Sequence, residues 1–123
     1  MISWLESKRS ILRKETNMKL GDILYKVVDE KQGNNIARID YKGTHALFDE
    51  MIICDAPNSR LMHAIVSAVE EACVENGIYE YKVEGKDSSD WVLFYADHVV
   101  VSVFLKEARE FYNIERLWQD YLV

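Results

Sequence analysis

The sequence predicts a single α/β (α+β) domain in which helices flank a mixed five-stranded sheet. The patterns read in order as helix, strand, strand, helix, three strands and helix. The run Met51-Ile52-Ile53-Cys54 is continuously apolar, which is typical of an interior strand covered on both faces. A length of 123 residues suits one domain that buries roughly two thirds of its unfolded surface.

The first half of the chain carries one helix and two strands. Residues 1–16 are predicted to form an N-terminal extension, and the domain to span 17–123. We expect a helix capped by Asn17 and stopped at Gly33. Its apolar stripe comprises Leu20, Ile23, Leu24, Val27 and Val28. Strands are predicted over residues 36–41 and 48–56.

The second half begins with a long helix. The turn-forming run Asp55-Ala56-Pro57-Asn58 ends the second strand and caps this helix, and Asn76-Gly77 ends it. Its buried stripe comprises Leu61, Met62, Ile65, Val66, Val69, Ala72 and Cys73. Residues 78–84 alternate, which predicts a strand with Tyr79, Tyr81 and Val83 on one face and Glu80, Lys82 and Glu84 on the other.

The C-terminal third is predicted to be a hairpin followed by a helical tail. One strand starts at Trp91, the chain reverses between Tyr95 and His98, and a valine-rich strand returns. The tail places four apolar side chains at helical spacing, which predicts that they pack on the sheet. They are Phe111, Ile114, Leu117 and Trp118.

The charge of the chain bears on its partners. Net charge is −6, but residues 1–16 carry +2, so the remaining body carries −8. Direct binding to nucleic acid is not expected, because such binding needs basic side chains that contact the phosphates and the acidic body lacks them. An acidic body suits a basic protein partner, or it serves solubility alone. No apolar run approaches the ~18 residues of a membrane span. Cys54 and Cys73 fit reduced, buried thiols in the cytoplasm.

Catalytic and metal motifs are not found in the sequence. His45, His63 and His98 have no ligand spacing, and we expect His63 to be a partly exposed helix residue. Ser59 at a helix start is typical of a capping position rather than a nucleophile. The five glycines form no phosphate loop. We therefore expect no metal, no cofactor and no enzymatic activity. The alternative is a small nucleotidyltransferase-like enzyme that uses Asp40, Asp49 and Asp55.

Trp91 is the strongest candidate for a recognition residue. It follows the polar run Asp87-Ser88-Ser89-Asp90, which predicts that the indole lies near the rim of the sheet. Tryptophan is enriched at interface hot spots because it buries a large area with few rotatable bonds. A tryptophan that opens a strand is also commonly a core residue, and the sequence leaves both interpretations open.

At these positions the sequence resembles the ribosomal silencing factors, also called RsfS or Iojap-like proteins. The resemblance spans about residues 17–120, and its C-terminal motif is the most specific part. The matching elements are Asp40 and Gly43 in I-D-Y-K-G, Asp49 before M-I-I-C, Ser59-Arg60, Val83-Glu84-Gly85, Ser89-Asp90-Trp91 and A-R-E-F-Y-N-I-E-R-L-W.

The resemblance implies a binding protein. Members of the family bind ribosomal protein fourteen of the large subunit, block subunit association and repress translation under starvation. Their fold is similar to nucleotidyltransferases without the catalytic carboxylates. Trp91 matches the family's partner-binding tryptophan, and we expect Glu84 and Asp90 to flank the contact. An exposed apolar sheet surface also predicts a homodimer in isolation.

Three segments depart from the family pattern. The turn Tyr95-Ala96-Asp97-His98 replaces the family's Asp-Tyr-Gly-Asp, and Ser102 replaces a histidine in the returning strand. The run Asp55-Ala56-Pro57-Asn58 stands where the family prefers Gly and Thr or Ser.

Overall fold

The computed structural model describes residues 19–41, 48–87 and 90–122, without the side chains of Glu115, Leu117 and Trp118. The predicted extension (1–16), the predicted cap Asn17 and His45 lie outside these ranges. The elements in chain order are α1 (Leu20–Glu30), β1 (Asn34–Asp40), β2 (Glu50–Ala56), α2 (Ser59–Glu75), β3 (Lys82–Glu84), β4 (Trp91–Ala96), β5 (Val99–Leu105), α3 (Lys106–Tyr112) and a 3-10 helix (Ile114–Tyr121).

Over the described residues the strands form one mixed five-stranded sheet in the order β1-β2-β5-β4-β3. β2 runs parallel to β5, and the β1–β2, β5–β4 and β4–β3 pairs are antiparallel. β2 therefore lies between two neighbours, and every residue from Met51 to Ala56 is buried. The predicted fold class and the interior position of Met51–Cys54 are both confirmed.

The two faces of the sheet are covered unequally. α1 and α2 pack on one face, which we call the helix face, through apolar side chains that include Leu24, Val28 and Met62. α3 and the start of the 3-10 helix cover part of the opposite face, over β1, β2 and β5. Because α3 has only seven residues, β4 and β3 are less covered on that second face.

The side chains of β4 alternate between the two faces of the sheet, and their burial shows how unequally the faces are covered. Val92, Phe94 and Ala96 are buried on the helix face. Trp91, Leu93 and Tyr95 point to the second face and are half-buried. A strand with a period of two thus presents three large apolar side chains on a surface that the helices leave partly open.

Helix α1 begins at Leu20 with Lys19 in the N-cap position, later than the predicted cap at Asn17. Helix α2 starts as predicted, because the Asn58 side chain accepts a hydrogen bond from the Leu61 N–H at 2.9 Å. β4 and β5 meet at a two-residue turn, Asp97-His98, in which both residues have positive φ (46° and 68°). Such a turn matches the twist of a hairpin.

The predicted strand over residues 78–84 is wrong in length, since only Lys82–Glu84 pairs with β4. The preceding residues bind α2 instead. The Ile78 N–H donates to the Cys73 carbonyl at 2.8 Å, and the Tyr81 hydroxyl donates to Glu70 at 3.0 Å. Within β3 the predicted faces hold, because Val83 is opposite Phe94 while Lys82 and Glu84 are opposite Tyr95 and Leu93.

The prediction of a continuous helical tail is also wrong. Asn113 adopts a left-handed conformation (φ 43°, ψ 48°) that ends α3, and a 3-10 helix follows. Ile114 packs against the sheet as predicted. Phe111 is 83% exposed rather than packed, because α3 turns Ala108 and Arg109 inward instead. The side chains of Leu117 and Trp118 lie outside the described residues.

Candidate partner-binding groove

The second face of the sheet carries an apolar groove of about 470 Å³. Its floor comes from β4, β5 and β2, one wall from Phe48 and Ile114, and its rim from the edge strand β3. The lining residues are Phe48, Met51, Lys82, Glu84, Trp91, Leu93, Tyr95, Val100 and Ile114. A concave, largely apolar surface with a few charged groups at its edge is typical of a binding site.

Trp91 is held at one end of this groove by aromatic contacts. Its ring stacks on Phe104, with centroids 4.8 Å apart and planes 19° apart, and contacts Tyr112 at 5.3 Å. The side chain is half-buried and lines the groove. Trp91 thus packs on the sheet and also lines the groove, so both interpretations that the sequence left open remain compatible with its position.

The predicted neighbours of Trp91 are only partly brought together. Glu84 and Lys82 lie on the exposed edge strand and both line the groove. Asp90 is exposed and does not line it, although the Asp90 carbonyl accepts a hydrogen bond from the Leu105 N–H at 2.7 Å. The structure therefore groups Glu84 with Trp91 and places Asp90 outside the groove, beside β5.

Several groove residues were missed by sequence reasoning. Leu93 and Tyr95 could have been found, since they share the strand period of Trp91. Phe48, Met51, Val100 and Ile114 come from other segments, and only the tertiary fold brings them to the groove. Tyr112 contacts Trp91 because α3 turns back over β5.

The residues that depart from the family pattern lie in different parts of the structure, and Tyr95 is the one among them that lines the groove. Ser102 is fully buried, and its Oγ donates to the Met51 sulfur at 3.7 Å. Tyr95 lines the groove, whereas Asp97 and His98 form the exposed turn. Asp55 is 3% exposed and forms an ion pair with Arg109, with Nη1 of Arg109 2.9 Å from Oδ2 of Asp55.

The carboxylates of the enzyme alternative are not brought to one place. Asp40 ends β1 opposite Glu50, and Asp49 lies beside that end. Asp55 lies near the other end of β2, six residues from Asp49, which is about 20 Å along a strand. In the parts of the chain that the structure describes, no three histidine, cysteine, aspartate or glutamate side chains are grouped to hold a metal ion.

The candidate nucleophiles are one exposed serine and two buried cysteines. Ser59 is exposed in the first turn of α2. Cys54 and Cys73 are free and buried, as predicted, and burial raises the pKa of Cys54 to about 12. A thiol with that pKa stays protonated at neutral pH and is a poor nucleophile. His63 is half-buried on α2, as expected.

Within the described ranges, no helix combines the length and the apolar character needed to cross a membrane.

Fold and groove together define a class, a small α/β protein with a partly open apolar groove on one face of its sheet. Comparison with known proteins gives the family. A sequence profile described as "Ribosomal silencing factor during starvation" matches residues 14–122. The chain belongs to this family of ribosomal silencing factors.

Individual relatives agree with the family. The chain is 37% identical to the ribosomal silencing factor RsfS of Bacillus subtilis over 92 residues, which is 75% of this chain and 78% of the relative. It is 31% identical to the RsfS of Haemophilus influenzae, over 82% of this chain and 99% of the relative. A crystal structure of a Chromobacterium violaceum protein superposes with a TM-score of 0.76 at 30% identity, over 83% of this chain and 88% of that one.

Proposed function

We propose that this protein binds the large ribosomal subunit through ribosomal protein fourteen, blocks its association with the small subunit, and so represses translation under starvation. It acts by occupying a surface rather than by catalysis. The single observation that carries the proposal is the groove that contains Trp91, the residue that matches the family's partner-binding tryptophan. The proposal assigns the activity to the cytoplasm, where the ribosomal subunits meet.

The shape of the groove supports a protein partner. Trp91, Leu93 and Tyr95 project in a row from one strand, so a partner segment that lies along β4 would cover all three. Large aromatic side chains in a partly formed pocket are typical of interface hot spots. The edge strand β3 adds charged groups at the rim, where they select partners more than they add affinity.

The charge of the body supports a basic partner. Residues 17–123 carry −8, and Glu84 lies at the groove itself. A basic ribosomal protein would approach this surface with a favourable field, and the field raises the association rate most at low salt.

The proposal is tested by sedimentation and by a subunit-joining assay. The purified protein should co-sediment with isolated large subunits on a sucrose gradient and slow the light-scattering rise when small subunits are added. Purified ribosomal protein fourteen should bind the protein, whereas another ribosomal protein of similar basic charge should not. A protein that stays at the top of the gradient with the large subunits present contradicts the proposal.

We also propose that the protein forms a homodimer in isolation through the same apolar groove. Apolar surface that awaits a partner favours self-association, and a two-fold axis is the commonest way to pair two identical surfaces. Binding to the ribosome and dimer formation would then be mutually exclusive.

A further inference from the structure

One row of the sheet links the groove to a buried ion pair. Asn34, Asp55, Phe104 and Trp91 are register partners across β1, β2, β5 and β4. Asp55 lies on the second face, because its strand neighbour Cys54 packs on the helix face. The row therefore runs from the polar edge at β1 to the indole at the end of the groove.

Helix α3 lies across this row and contacts both of its ends. Arg109 donates to Oδ2 of Asp55 at 2.9 Å and to the Asn34 carbonyl at 3.2 Å. Asn35 donates to the same carboxylate oxygen at 3.2 Å. One turn later, Tyr112 contacts Trp91 at 5.3 Å and Phe104 at 6.2 Å between ring centroids.

This helix depends on tertiary contacts for its place. It has seven residues, and its N-cap has no side-chain hydrogen bond. Helices this short are marginal on their own in water. Its buried residues are Ala108 and Arg109. The guanidinium of Arg109 is thus the main polar anchor among the contacts described for α3, and both Tyr112 and Ile114 follow it in the chain.

We infer that the Asp55–Arg109 ion pair is a positioning device for the groove. It fixes α3 so that Tyr112 supports Trp91 and Ile114 forms the wall, although neither charged residue lines the groove. The inference concerns recognition of the large subunit and to that extent rests on the proposed function. Its structural half, the position of Tyr112 against Trp91, does not.

The experiment uses two variants. Arg109→Met keeps most of the apolar stem of the side chain but loses the hydrogen bonds donated to Asp55 and to the Asn34 carbonyl. Asp55→Asn/Arg109→Met also removes the buried carboxylate charge, so that no buried charge is left unpaired. The readouts are the indole N–H resonance of Trp91, assigned with Trp91→Phe, the melting temperature, and the dissociation constant for the large subunit.

A matched control is Arg38→Met on the helix face. Arg38 also anchors a helix to the sheet, since it donates to Glu50 at 2.7 Å and to Asp22 of α1 at 2.8 Å. We expect both Arg109 variants to shift the Trp91 resonance and to weaken binding about tenfold in the folded protein. Arg38→Met should lower the melting temperature while the resonance and the affinity stay unchanged.

The outcomes separate the inference from the proposed function. If the Trp91 resonance is unmoved, or if the affinity loss follows only the folded fraction, the ion pair is merely structural and the inference is overturned. If the unmodified protein fails to bind the large subunit, the proposed function fails. The Trp91 resonance then decides the positioning role alone, a shift supporting it and an unchanged signal overturning it.

Discussion

Trp91 takes part both in the packing of the sheet and in the proposed recognition surface. Its ring stacks on Phe104, which ties the residue to stability, and it also lines the groove, where a partner would contact it under the proposed function. The half-buried state explains why sequence reasoning reached two interpretations. An indole that follows a polar turn and opens a strand fits both interpretations. How far the neighbouring helix covers the indole decides between them.

The charges at the groove rim give a residue-scale prediction. Glu84→Gln should lower the association rate with the large subunit about two- to fivefold at low salt, because it removes an attractive charge for a basic partner. Added salt should shrink this difference. Stopped-flow association kinetics at several salt concentrations measure it.

Lys82→Gln is the matched control, since Lys82 lies on the same edge strand and lines the same groove with the opposite charge. Its association rate should rise at low salt. Equal rates for both variants and the unmodified protein at every salt concentration would rule out electrostatic steering at this rim.

Short-range sequence patterns do not show how Asp90 and Arg109 are placed relative to the groove. Asp90 adjoins Trp91 in the chain, but alternation and the bend before β4 keep it out of the groove. Arg109 was assigned no role from sequence, because its partner Asp55 is 54 residues away. Short-range patterns report faces of strands and helices, whereas long-range pairs depend on strand order.

At the scale of elements, strands and helices with strong periodicity were predictable and their ends were not. β2, β4, β5 and α2 follow their apolar patterns closely. β3 is shorter than its alternation because Ile78 and Tyr81 bond to α2. The helical tail breaks at Asn113, although no glycine marks a turn there in the sequence. Asparagine tolerates the left-handed conformation better than most residues, so the break can form without glycine.

The β4–β5 turn gives an element-scale prediction. His98 has φ of 68°, a conformation that costs a side chain roughly 1–2 kcal/mol and glycine nothing. Replacing His98 with glycine should raise the free energy of unfolding by about 0.5–1 kcal/mol, once the greater entropy of glycine in the unfolded chain is subtracted from the relieved strain. Thermal unfolding of His98→Gly should show a melting temperature that is about 2–5 °C higher.

Asp87→Gly serves as the comparison, because Asp87 is exposed and is not among the positive-φ residues. It should lower the melting temperature slightly through the entropy of the unfolded chain. If His98→Gly destabilises the protein as much as Asp87→Gly does, the positive φ of His98 causes no backbone strain that glycine can relieve.

At the scale of the whole molecule, the asymmetry of the sheet leads to the proposed function. Two helices cover one face, while a seven-residue helix and a 3-10 helix cover part of the other. The sequence predicted the sheet and its flanking helices, because apolar periodicity reports which surfaces need cover. The sequence also predicted an exposed apolar sheet surface, but not which residues line the groove, because the cover of that face depends on where α3 ends, at Asn113.

Self-association is the first whole-molecule prediction. The isolated protein should sediment as a dimer at high micromolar concentration, because pairing covers the apolar groove of each copy. Trp91→Ala should shift the equilibrium towards monomer, and so should purified ribosomal protein fourteen. Sedimentation velocity over a concentration series measures both. A strict monomer at high micromolar concentration contradicts the dimer.

We propose above all that the groove around Trp91 is the ribosome-binding surface. Two adjacent substitutions on β4 test it, because Trp91 faces the groove and Val92 is fully buried on the helix face. Val92→Ala should cost about 1–3 kcal/mol of stability. Trp91→Ala should also lose stability through its contact with Phe104.

The deciding measurement is the affinity of both folded variants for purified large subunits. Trp91→Ala should bind roughly 30- to 1,000-fold more weakly, which corresponds to ~2–4 kcal/mol for a lost interface tryptophan. Val92→Ala should bind within about twofold of the unmodified protein, because it changes only the covered face. A folded Trp91→Ala protein that binds the large subunit as tightly as the unmodified protein would contradict the account.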